Sequence, residues 1–93
     1  MTKRVHLYIS GRVQGVFFRG WVAEQARKLG LAGWVRNRFN GGVEAVIEGP
    51  DEAVDEMVRL CHDGPPHARV DSVLDNDTEP VMGLSGFRIR GSV

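Results

Sequence analysis

Ninety-three residues, 42% apolar and 26% charged, are enough for one hydrophobic core in one domain spanning 1–93, and they exclude a disordered chain. Twelve basic and twelve acidic side chains cancel to zero formal charge, which speaks against a general nucleic-acid partner but leaves room for a local positive site. No apolar run suits a signal peptide or a membrane span, and the lone Cys61 has no partner for an internal disulfide. These features predict a cytoplasmic protein, monomeric, without a membrane partner.

Residues 4–10, RVHLYIS, alternate: Val5, Leu7 and Ile9 face one way, and Arg4, His6, Tyr8 and Ser10 the other. That is a half-buried strand. After the loop at 11–17, Phe18, Val22, Ala26 and Leu29 recur at helical spacing up to Gly30, a helix stop. A second strand is expected over 31–39. Asn40-Gly41-Gly42 signals a turn, and 43–49 alternates again with Val43, Ala45 and Ile47 on one face, so these runs form a hairpin.

Pro50 and the acids Asp51 and Glu52 open a second helix, whose apolar stripe is Val54, Met57, Val58 and Cys61. The run HDGPPHA ends it. Strands are expected at 69–74 and, short, within 86–93, with an exposed loop over 75–85. The order predicts an α+β fold, a ferredoxin-like βαββαβ sandwich. Its antiparallel sheet would carry two helices on one face and a short extra C-terminal strand. Such a fold decides nothing about activity.

The loop GRVQGVFFRG, 11–20, carries the chemistry. Gly11 and Gly15 can take positive φ, which lets successive backbone N–H groups converge on one point, an anion-binding nest. The loop enters a helix whose first N–H groups lack partners. Arg19 falls at that helix start, where its charge opposes the dipole unless an anion is bound; its planar fork suits phosphate. Gly-x-x-x-Gly alone equally suits an ordinary loop with a solvated arginine. No Gly-Lys-Ser/Thr follows, and the GxGxxG dinucleotide spacing is absent.

Residues 9–19, ISGRVQGVFFR, resemble the first signature of the acylphosphatase family, and GWVRNRFNGGVEAVIEG at 33–49 resembles its second. The resemblance covers nearly the whole chain. It implies a hydrolase that converts an acyl phosphate into a carboxylate and inorganic phosphate. It assigns phosphate binding to the backbone of Gln14, Gly15, Val16, Phe17, Phe18 and Arg19, closed by the Arg19 guanidinium, and positioning of the attacking water to Asn37. Gly33, Val35 and Asn37 share a strand face, which is compatible with that role. No cofactor and no metal are implied: the leaving group is a carboxylate, stable as an anion, so fixed dipoles and one arginine suffice.

Two other functions compete. A non-catalytic phosphate-sensing domain would use the same loop but would not need Asn37. An RNA-binding module needs aromatics on its central strands, and VEAVIEG has none and carries two glutamates. His6 reads as a surface or packing residue, and His62 and His67 fit no metal pattern. Cys61 reads as core. Trp21, Trp34, Phe17 and Phe18 read as packing, with Phe17 or Phe18 also placed to shield the site from water. Glu44 and Glu48 read as the solvated side of their strand.

Overall fold

The computed structural model describes residues 1–76 and 81–93. The chain runs β1 (Thr2–Arg12), α1 (Phe18–Lys28), β2 (Ala32–Asn37), β3 (Val43–Pro50), α2 (Asp51–Asp63), β4 (Arg69–Asn76) and β5 (Phe87–Ile89). The strands form one sheet in the order β4-β1-β3-β2-β5. The ferredoxin-like α+β fold is as expected. Four strands are antiparallel, but β5 joins the edge parallel to β2, so the sheet is mixed. Of the loop expected at 75–85, residues 77–80 lie outside the described residues, 75 and 76 extend β4, and 81–85 carry no regular structure.

The alternation in β1 and β3 works as read. Val5, Leu7, Ile9, Val43, Ala45 and Ile47 are buried on the face that meets the helices. Into this layer α1 sends Phe18, Val22 and Ala26, and α2 sends Val54, Met57 and Cys61. Burial pushes the Cys61 thiol up to about 12, which leaves it an inert core residue.

The opposite face of the sheet departs from expectation. Glu44 and Glu48, read as solvated, are only 2% and 4% exposed. A period of two says which face a residue takes, not what covers that face. Here the cover is the chain's own polar layer. Glu48 accepts the backbone N–H groups of Met82 (2.7 Å) and Leu84 (2.6 Å), so the segment before β5 lies over it. Trp34 packs on this face with the guanidinium groups of Arg36 and Arg90 at 4.7 and 5.1 Å from its ring centroid. His6 is more than a packing residue: it stacks on Tyr8 and bonds Glu44.

Candidate active site

The two helix starts differ in a way that local chemistry explains. α2 begins with Asp51 and Glu52, whose charges favour the positive end of its dipole. α1 has no acid in its first turn, and its N-cap, Phe17, offers no side-chain acceptor. Trp21 N–H reaches Phe17 O at 2.9 Å. The amides of Phe18, Arg19 and Gly20, ahead of it, have no intrahelical acceptor. They are the ready-made anion site of a helix N-terminus.

The loop before the helix takes the conformation that its glycines permit. Gly15 has φ 73°, and Phe17 follows with φ 63°, a left-handed conformation that is uncommon for an aromatic residue. Phe17 is not part of the core: it is 67% exposed and lines a cleft. Its ring lies against Gly20, where any Cβ would come within 2.3 Å of it. Phe18, one residue on, is buried and meets Trp21 edge to face, which fixes the start of α1 to the core.

Of the loop residues expected to hold phosphate, Gln14, Gly15, Phe17, Phe18 and Arg19 line this cleft. Val16 does not; its side chain packs on the core. Asn37, at the end of β2, lines the same cleft from the sheet side, so strand alternation and the split βαβ topology bring both motifs together. The cleft encloses about 320 Å³, at the small end for a ligand site. Arg19 is the only charged side chain among its lining residues. The guanidinium makes one long bond, Nη1 to Arg90 O at 3.4 Å, and among the described residues no carboxylate pairs with it. Its remaining N–H groups are available to a ligand.

Three features of the site escape sequence reasoning. The Gln14 side chain does more than carry an amide: Nε2 donates to Arg38 O at 2.7 Å and Gly42 O at 2.8 Å, tying the loop to the hairpin. Ile89 of β5 adds an apolar wall, and no motif marks it. The backbone of β2 is held by the segment after β5, where Arg90 N–H donates to Val35 O and Val93 N–H to Asn37 O. A signal existed for a fourth feature, the ion pairing of Glu44, in the opposite charges of Arg36, Arg38 and Glu44 across the Asn-Gly-Gly turn.

Fold and cleft together define an α+β sandwich with a small cleft between a glycine-containing loop, the helix it enters and the end of a strand. The chain belongs to the acylphosphatase family, whose model matches residues 5–89. It is 57% identical to an acylphosphatase of Rubrobacter xylanophilus over 96% of this chain and 81% of that one. With an acylphosphatase of Azorhizobium caulinodans it shares 48% identity over the full length of both. Its structure is similar to that of an acylphosphatase from Coxiella burnetii, with a TM-score of 0.92 and 38% identity, covering 96% of this chain and 93% of that one.

Proposed function

We propose that Arg19 and the loop amides of residues 14–19 bind the phosphoryl group of an acyl phosphate and that Asn37 holds the attacking water. The protein is an acyl-phosphate hydrolase, as family membership and close relatives with that name support. One observation carries the assignment of roles. A single small cleft holds a guanidinium that no carboxylate among the described residues pairs with, a helix start without a side-chain cap and the Asn37 amide, and its lining includes no carboxylate.

The chemistry follows from those groups. Water attacks phosphorus as the bond from phosphorus to the acyl oxygen breaks, and the carboxylate departs without needing a proton. The water's proton passes to a phosphoryl oxygen, giving inorganic phosphate. Arg19 and the amides stabilise charge on the phosphoryl oxygens, an effect fixed before reaction. The Asn37 amide orients water without adding negative charge beside the phosphate. No step calls for a metal. The reading takes the enzyme to be a cytoplasmic monomer acting on a small-molecule substrate; its lone cysteine is buried and makes no disulfide, and among the described residues no helix is long and apolar enough to cross a membrane.

Hydrolysis of benzoyl phosphate, with and without EDTA, tests this. Turnover is expected to survive EDTA and to vanish in Asn37→Ala, while inorganic phosphate still inhibits or binds. If Asn37→Ala kept near-full activity, its assigned role would be wrong. Phosphate binding without any turnover would favour a sensing domain instead.

A further inference from the structure

The carboxylate of Glu44 takes no direct part in the cleft, yet it is built into the sheet beneath it. It lies on the face away from the helices and is buried. Oε1 accepts from Arg36 Nε at 2.9 Å and from Arg38 Nη1 at 2.8 Å, while Oε2 lies 2.5 Å from His6 Nε2. Arg36 and Arg38 are the two chain neighbours of Asn37. Alternation sends the two arginines to the outer face and the Asn37 side chain to the inner one, where the cleft is. One carboxylate oxygen therefore fixes both residues that flank the proposed water-holder.

The location makes that fixation consequential. The β2–β3 ladder ends at the pair Asn37 and Val43, where the hairpin passes into its turn through Arg38 N–H to Gly42 O at 2.9 Å. Beyond this point side chains hold Arg38 from both faces of the sheet, in addition to its backbone bonds in the turn. Its carbonyl takes the Gln14 amide on the inner side, and its guanidinium takes Glu44 on the outer side. Stability alone is a poor reason for the arrangement, because a buried ion cluster is often no more stable than apolar residues of the same volume. What an ion cluster adds is direction: each guanidinium aims one short charge-assisted hydrogen bond at the same oxygen.

We propose that Glu44 is a positioning residue for hydrolysis, holding Asn37 in register from the opposite face of the sheet through Arg36 and Arg38. The inference rests on the water-holding role of Asn37. Glu44→Gln keeps the shape and removes the charge. It is expected to lower kcat by about 10- to 100-fold, the scale of a small misplacement of a reacting group. The inhibition constant for inorganic phosphate should stay within about twofold, since the variant changes neither Arg19 nor a loop residue and Gln14 keeps its second anchor at Gly42 O. The side-chain amide signal of Asn37 in an NMR spectrum should shift or broaden. Should Glu44→Gln fail to fold, Arg38→Gln leaves Glu44 with Arg36 and His6 and reads the same split. Unchanged kcat, or phosphate inhibition weakening in step with kcat, would overturn the proposal. Full turnover in Asn37→Ala would instead remove the role on which it stands.

Discussion

Gln14 and Arg38 lie 24 residues apart, and the side-chain amide of one donates to the carbonyl of the other at 2.7 Å. The same nitrogen reaches Gly42 O at 2.8 Å. Both amide protons thus go to the two strands of one hairpin, one residue past Asn37 on β2 and one before Val43 on β3. The loop before α1 and the hairpin end of β2 are tied together by this side chain. A loop that moved would take the hairpin with it.

Substituting Gln14 by Glu tests the bridge with almost no change of shape. An ionised carboxylate only accepts hydrogen bonds, so it would face two carbonyl oxygens with nothing to give. Leaving such groups unpaired costs roughly 1–3 kcal/mol. The variant would also put negative charge in a cleft whose one charged lining residue is Arg19. Glu at this position is expected to lower the urea midpoint and weaken phosphate inhibition together. Gln14→Ala should lower the midpoint less, because it leaves no charge behind.

Arg19 is predicted to couple binding to turnover. Removal of one charge-stabilising donor typically costs about 10²–10³ in rate, and here the donor also carries charge. In Arg19→Gln, kcat/KM for an acyl phosphate should fall by at least that factor, with phosphate inhibition weakened. Among the described residues its partly exposed side chain makes only the long bond to Arg90 O, so stability should change little. Activity within a few-fold of the parent would exclude the guanidinium from the phosphate cradle.

How much of this could be read in the sequence depends on which face of the sheet is considered. The helix-facing side was legible because its signals are local: alternation in Val5, Leu7 and Ile9, helical spacing from Phe18, and two motifs that the topology then joins. The outer face was not. Glu44 and Glu48 alternate like solvated residues, and only tertiary contacts with Arg36, Arg38 and the segment at 82–84 bury them. The direction of β5 was hidden for another reason. Three residues, Phe87–Ile89, carry no periodic signal that separates a parallel from an antiparallel partner.

Gly15 separates conformation from space. A Cβ there would meet nothing within 4 Å, so only its φ of 73° selects glycine. Left-handed backbone costs an ordinary L-residue about 1–2 kcal/mol, and a β-branched residue more, whereas asparagine tolerates it. Gly15→Val is therefore expected to lose phosphate binding and turnover by distorting the nest, and Gly15→Asn to retain most of both. Equal loss in the two variants would mean that bulk, not φ, is what the loop rejects.

The pH dependence of stability should carry the mark of Glu44. Burial pushes its pKa up, but hydrogen bonds from Arg36, His6 and Arg38, with the charge of Arg36, outweigh that and hold it at about 2, against an ordinary value of 4.5. A carboxyl depressed in the folded state binds its proton more readily once unfolded. Its stabilising contribution is thus complete above about pH 5 and is lost as pH falls from the unfolded value through the folded one. The size is about 3 kcal/mol at neutral pH. Urea unfolding of the parent and of Glu44→Gln, followed from pH 7 to pH 2, should show a gap that is constant down to about pH 5 and closes below it. A gap that stays the same to pH 2 would mean that the charge of Glu44 contributes nothing to holding the folded sheet, and that shape alone does.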